Sequence, residues 1–426
     1  MVKRYGMACY LGGAAAARTG DEMSGPALLL VGLAVTGSAS TASALLSGIT
    51  VSAAVGGPVF GALLDRSARP GRLLAGALGV YSAVLVVLLV SLGRLPFPAV
   101  LATAVVGGLL GPALAGGWTS QLPRVAGSEG LPRANALDAL TYNVASLTGP
   151  VLAGLVALAA GARAGVVASV ALIVLALPVA WTLPRNPAAT RERERSSVAA
   201  DLVAGFAAIA RARRLARATL TSVLSYVGVG MLVTCSPLLG DAAFGSSTSG
   251  TFLLTALAAA SLTANALLAR RPDLLRPDAT VLASTLLLTV ALALAATTAP
   301  IPLFVAMVIA GAGTGPQLTA LFAVRHREAP ERLRGQIFTT GASLKITGYA
   351  IGAGLGGPLA TWSLPGALLV AAGFEVLAAM GFLALTVSGR GEGGKDPRSP
   401  ADDPREADGG AGDPYPLPPT ARPRGG

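Results

Sequence analysis

Charge is scarce in this sequence: Asp, Glu, Lys and Arg together make up 12% of its 426 residues. A domain wrapped in water carries about 25% charge, so a fold with a mostly hydrated surface is excluded. Histidine is nearly absent. The single His326 rules out a histidine cluster for metal binding or catalysis, and its place among arginines reads as a solvated side chain in a basic loop. Two cysteines, Cys9 and Cys235, both lie in apolar runs and offer neither a disulfide framework nor a metal site. The sequence also lacks a phosphate-cradling Walker loop and a serine-plus-base pattern. An enzyme is therefore not expected, and no cofactor or metal is implied.

Apolar residues take the place of charge: they make up 53% of the chain, and the mean hydropathy is +0.66. Crossing the hydrocarbon core takes about 20 apolar residues. Runs of that kind fall at 10–35, 41–64, 73–92, 98–118, 134–160 and 164–183, then at 218–239, 247–269, 279–298, 301–324, 336–362 and 364–387. The pattern predicts an all-α membrane protein of about twelve transmembrane helices in two six-helix bundles. Residues 1–184 form the first bundle, 185–217 a linker, 218–388 the second bundle and 389–426 a tail. Lys3 and Arg4 ahead of an alanine run at 14–17 mimic a cleaved leader, but the apolar run resumes after Asp21 and Glu22. An uncleaved first span is expected.

The net charge of +11 is distributed by loop. One set of loops holds Arg66, Arg69 and Arg72, then Arg124 and Arg133, the linker arginines, Arg270, Arg271 and Arg276, and finally Arg325, Arg327, Arg332 and Arg334. The alternate loops hold only Arg94 and Arg163. This is the positive-inside pattern, and it predicts a multi-pass plasma-membrane protein with both termini cytoplasmic. It also argues against nucleic acid as a partner, which needs a folded basic surface in water.

Residues 191–195 alternate Arg and Glu as a charged hinge. Residues 199–220 read as one amphipathic helix on the membrane surface, with Leu202, Phe206, Ile209 and Leu215 on its apolar side and Arg211, Arg213, Arg214 and Arg217 largely elsewhere. Beyond Val387 there is little to bury, so the tail is expected to be disordered. The halves echo one another. GALLDR at 61–66 ends the second span and NALLAR at 265–270 the eighth. The basic loop 124–133 precedes a span with Gly149, Pro150 and Gly154, and the basic loop 325–334 precedes one with Gly348, Gly352, Gly354 and Gly356. Two parallel repeats place a substrate site near the midplane between rocking halves.

At these residues the chain resembles the major facilitator superfamily. Gly61, Asp65, Arg66, Gly71 and Arg72 resemble its Gly-x-x-x-Asp-Arg signature with the following Gly-Arg, stretched slightly at 68–70. Gly149-Pro150 with Gly154 resembles the Gly-Pro motif of the antiporter branches. With Gly20-Asp21 and LPRANAL at 131–137, the pattern is most similar to drug and siderophore exporters of the drug:proton antiporter type, over nearly all of residues 10–387. The resemblance implies that Asp65, Arg66 and Arg72 bond to helix ends of the opposite half and hold the outward-open state closed on the inside. Gly149, Pro150 and Gly154 allow a bend and close packing in the fifth span. The chain departs from the pattern twice. The fourth span has no arginine at 105–109, and Ala269 stands where the first half has Asp65, which implies an asymmetric gate.

An ionisable residue at membrane depth is a functional candidate. Spacings of three and four place Asp21 and Glu22 on the helical face of Arg18. That face can attract a cation and hold a proton, or form a self-neutralising triad; Asp21 matches the family's acidic position. At about 1.5 Å per residue, Lys345 and Glu375 lie at about 13 and 18 Å from the cytoplasmic edge, which allows either a buried pair or recognition of substrate charge. Asp138 reads as a hydrated helix-start carboxylate, and Trp118 as an interfacial anchor. Asn143, Asn265 and Gln317 either line the cavity or hydrogen-bond between helices.

Taken together, the sequence predicts a monomeric secondary transporter whose partners are the lipid bilayer, a small-molecule substrate and protons. A proton-coupled exporter of a small amphiphilic or cationic molecule (a drug, siderophore or secondary metabolite) fits first. A nutrient importer or facilitator of the same superfamily comes second, and a membrane sensor or adaptor third.

Overall fold

The computed structural model describes residues 2–186, 197–246 and 249–387, and every regular element among them is helical. The tail 389–426 and the Arg/Glu hinge at 191–195 lie outside the described residues. The first half contains α1 (Val2–Thr36), α2 (Ala39–Asp65), α3 (Pro70–Ser91), α4 (Phe97–Gly108), α5 (Trp118–Ala160) and α6 (Ala162–Trp181). A short α7 (Val198–Arg211) leads to the second half: α8 (Arg213–Phe244), α9 (Ser249–Arg270), α10 (Pro277–Ala295), α11 (Pro300–Glu328), α12 (Arg334–Trp362) and α13 (Leu364–Val387).

The starts and stops follow from local chemistry. Proline occupies the first turn of α3, α4, α10 and α11, where a missing N–H costs nothing. Ser38 and Ser197 cap α2 and α7 by accepting the N–H groups of Thr41 and Ala200. Gly245, in the left-handed region, ends α8.

Among the described residues, ten helices are long and apolar enough to cross a membrane. Two further long helices, α1 and α12, fall outside that set, and they carry Arg18, Asp21, Glu22 and Lys345. These two helices thus hold most of the candidate ionisable groups. Two large apolar cores form, one built from residues of α1 to α6 and one from residues of α8 to α13. Leu158, Ile301 and Trp362 are 86%, 79% and 89% exposed, apolar side chains on an outer surface suited to lipid.

Four expectations need correction. The fourth crossing does not stop at Trp118: α4 continues through a π-helical turn (Ala113–Gly117) into α5, and the first break is Gly127, with φ 71°. Arg124 therefore lies within a helix, and Trp118 is fully buried, edge-on to Tyr10 at 5.7 Å, instead of sitting at an interface. The basic segment starting at Arg325 is likewise mostly helix, because α11 runs to Glu328. His326 is consequently buried against the Phe338 ring, centroids 4.4 Å apart, not solvated. The amphipathic linker helix is two pieces separated at Ala212.

Candidate functional site

The halves meet along α2 and α12 at the face that carries α7, here called the linker face. Asp65 ends α2 and is buried. Its Oδ1 accepts the Gly335 N–H at 2.6 Å and its Oδ2 the Gln336 N–H at 2.8 Å. These are the first free amides of α12, so a carboxylate satisfies both orphan donors and the positive helix end. Glycine at 61 and 57 makes the approach possible. A Cβ at Gly61 would overlap Gln336 and Thr339, and one at Gly57 would overlap Thr339 and Ser343. Ser343 donates to the Ala53 carbonyl at 2.6 Å. From Asp65 back to Ala53 the contact runs about 18 Å along α2. Arg66 pairs with Asp201 of α7 at 2.6 Å. Arg72, expected to reach the opposite half, instead stacks over Trp181 of its own half at 5.0 Å.

Behind this contact an aromatic plug joins the halves. Tyr142 of α5 packs on Phe322 of α11 at 5.7 Å, and Phe322 on Phe338 of α12 at 6.0 Å. Along α5 and α9 the contact is softer. Ala136 meets Leu268 and Ala269, and Asn143 donates to the Ser261 carbonyl at 3.4 Å. Farther from the linker face each half packs on itself. Gly348, Gly352 and Gly356 of α12 abut Val223, Val227 and Met231 of α8, while Gly48 of α2 abuts Leu101 of α4.

The Arg18, Asp21 and Glu22 triad is not formed. Arg18, 2% exposed, turns to Asp138 of α5 with Nη1 to Oδ1 at 2.9 Å. It also donates to Thr119 at 3.0 Å and to Thr141, and lies 3.7 Å from the Tyr142 ring centre. Tyr10 and Thr119 donate to the same carboxylate at 3.1 and 2.8 Å. Asp138 is fully buried, so the hydrated helix-start reading gives way to a satisfied interior pair. The reason is distance along α5: the turn at Gly127 begins the fifth crossing earlier than the apolar run suggested, which carries Asp138 inward.

With Arg18 engaged elsewhere, the two acids of α1 separate in role. Asp21 is partly buried beside Tyr81, whose hydroxyl lies 3.0 Å from Ser24 Oγ. Glu22 is exposed and accepts from Ser146 at 3.3 Å. Lys345 of α12 forms no ion pair with Glu22 among the described residues. The Lys345 ammonium sits 4.2 Å from the Tyr226 ring centre and 5.7 Å from that of Tyr142. It makes no ion pair with Glu375 among the described residues. Glu375 is fully buried, accepts from Ser225 at 2.8 Å, and leaves Oε2 without a partner. Gln317 joins that cluster, bonding Ser225 and Thr285 at 3.1 Å each, so it links helices within the second half. Asn265 likewise accepts from Thr319 at 2.8 Å.

Gly149 permits the close crossing of α1 and α5: a Cβ there would meet Glu22 Cβ at 2.7 Å. Gly154 has nothing within 4 Å, contrary to the expected close packing, and the backbone break in α5 is at Gly127, not at Pro150. Sequence reasoning missed Tyr10, Thr119, Tyr142, Tyr226 and the buried Arg325. Tyr142 had a signal. It follows Asp138 by four residues, so both point from one face of α5.

Residues 10–272, more than half of the chain, match the Major Facilitator Superfamily, and the chain belongs to it. An uncharacterized MFS-type transporter, y4rN of Sinorhizobium fredii, is 25% identical over 358 residues, covering 81% of this chain and 85% of that protein. The human organic anion transporter MFSD10 shares the fold with a TM-score of 0.71 at 16% identity, covering 89% of this chain and 99% of that one. A bacterial homologue of the iron transporter ferroportin, in an outward-facing state, gives 0.69 at 15% identity over 90% and 99%. The fucose:proton symporter of E. coli gives 0.68 at 16% identity over 89% and 98%. The chain is thus a membrane transporter of that superfamily.

Proposed function

We propose that this chain is a proton-coupled exporter of a small amphiphilic or cationic solute, working by alternating access in the plasma membrane with both termini cytoplasmic. Residues 1–184 and 218–388 rock against each other, and the linker face is the cytoplasmic one. In this reading the structure is closed inside and open outside. Asp65 holds the closed side, Arg66 ties it to the linker, and Arg72 braces the loop on Trp181. The single observation that carries the reading is Glu22: an exposed carboxyl on the least apolar part of α1, set beyond the sealed contact and bonded only to Ser146 among the described side chains. A proton and a cationic group compete for such a carboxyl, and that competition drives antiport. Asp21, one residue away and held by Tyr81, supports the same site.

Inverted vesicles loaded with a pH-sensitive dye test this. An acid-inside gradient should collapse when a transported compound from an amphiphile panel is added, and Glu22→Gln should abolish the collapse. If every compound leaves the gradient intact, or Glu22→Gln and Asp21→Asn both behave as the parent chain, the proton-coupled reading fails.

A further inference from the structure

Glu22 of α1 and Lys345 of α12 approach neighbouring turns of α5 from opposite halves. Glu22 accepts from Ser146, the Lys345 ammonium lies 5.7 Å from the Tyr142 ring centre one turn away, and the two are not joined as an ion pair among the described residues. Opposite charges in a site of low polarity gain from closing to contact, so a gap between them is a place for a ligand. Its walls are aromatic. Tyr142 and Tyr226 flank the Lys345 ammonium. Neither charge is neutralised from elsewhere: the described partner of Glu22 is the neutral Ser146, and the described neighbours of the Lys345 ammonium are rings.

A second cation lies beneath. Arg325 of α11 is 2% exposed, its Nε and Nη2 have no hydrogen-bond partner, and it lies 6.0 Å from the Phe338 ring centre. Its guanidinium packs directly on Gly341 of α12, where a Cβ would displace it. The interior carboxylates are engaged by other groups: Asp138 by Arg18, Asp65 by Gly335 and Gln336, Glu375 by Ser225. A buried arginine without an anion is costly. Arg325 rests on Phe338, which packs on Phe322 and through it on Tyr142, one of the two rings beside Lys345. Lys345 and Arg325 are therefore two cations at the two ends of the Tyr142–Phe322–Phe338 ring series.

We propose that the carried solute is a zwitterion with an apolar body, its cationic group on Glu22 and its anionic group on Lys345, and that Arg325 receives the anionic group as the linker face opens. The proposal rests on the proton-coupled reading and narrows its substrate class. A proton on Glu22 displaces the cationic group, while the anionic group keeps its own partner. The site therefore discriminates against a cation that lacks an acid and against an acid that lacks a cation.

The test uses the purified chain in lipid nanodiscs and two matched probe series: tryptophan, tryptamine and indole-3-propionate, and phenylalanine, phenethylamine and 3-phenylpropionate. The zwitterion of at least one series should bind at least tenfold more tightly than both of its single-charge relatives. Lys345→Gln should erase its advantage over the amine and Lys345→Arg should restore it; Glu22→Gln should erase its advantage over the acid. Ranking three probes on one variant separates lost recognition from lost folding. Stronger binding of either single-charge probe in both series, no binding of any probe, or an unchanged ranking in Lys345→Gln would overturn the proposal. Zwitterion preference without any effect of a pH gradient would instead overturn the coupling reading and leave this one standing.

Discussion

Asp65 and Gly335, 270 residues apart in sequence, are joined by a hydrogen bond of 2.6 Å from the Gly335 amide to Asp65 Oδ1. The second oxygen takes Gln336, so one carboxylate at the end of α2 caps the start of α12 in the other half. One side chain thereby makes both hydrogen bonds that join the end of α2 to the first amides of α12.

Asp65→Asn keeps the shape but loses the charge and one acceptor. A hydrogen bond to a charged group contributes about 1.5–3 kcal/mol, enough to move a two-state balance about tenfold. A cysteine at 339, in a chain with Cys9 and Cys235 replaced, should become about tenfold more reactive toward an impermeant maleimide applied to the linker face. Unchanged labelling would show that the closure does not depend on the cap.

Asp138→Asn should be severe, because it strands the Arg18 guanidinium inside the first bundle. Removing one partner of a buried pair costs about 3–5 kcal/mol. The melting temperature in detergent should fall sharply, and Arg18→Gln should behave alike. Retention of the parent melting temperature by either variant would contradict an interior pair.

Glu375→Gln should be mild by comparison. Among the described residues no cation pairs with Glu375, and its partner there is the neutral Ser225. An amide can keep that contact, so a stability loss of no more than about 1 kcal/mol is expected, in the range of a single neutral hydrogen bond. A fall as large as that of Asp138→Asn would reveal a charge partner.

Two glycines of one motif should part company. Gly149→Val forces α5 away from Glu22 and the α1 backbone, whereas Gly154→Val meets open space. The first should lose transport and folded yield; the second should match the parent. Equal outcomes would show that the pair acts through backbone flexibility and not through packing.

Much of this was legible in the sequence. The apolar runs located the long helices, since a span's length is set by the bilayer, and the GALLDR motif marked the helix end that reaches α12. Partner choice was not legible. Arg18 has acids three and four residues away, yet the local geometry loses to Asp138, because the crossing of α1 and α5 offers two hydroxyls and a ring as well. Likewise the 13 and 18 Å depths of Lys345 and Glu375 suggested a pair, at about 1.5 Å per residue. Depth alone omits rotation about the helix axis, and Lys345 turns to the opening while Glu375 turns into its own bundle. The burial of Trp118 and His326 is hidden in the sequence for a simpler reason: the polar residues near them do not end their helices, which continue past both.

The two seams between the halves are made of unlike material. At α2 and α12 a carboxylate grips amides, and at α5 and α9 aliphatic side chains touch where the sequence repeat has Ala269 in place of an acid, with one longer hydrogen bond, Asn143 to the Ser261 carbonyl at 3.4 Å, beside them. The first grip is directional and is lost once its atoms part by an ångström or so, while the second loosens gradually as surfaces slide. The molecule therefore has a latch on one edge and a hinge-like slip plane on the other, so an opening stroke would swing sideways about the oily edge after the latch lets go.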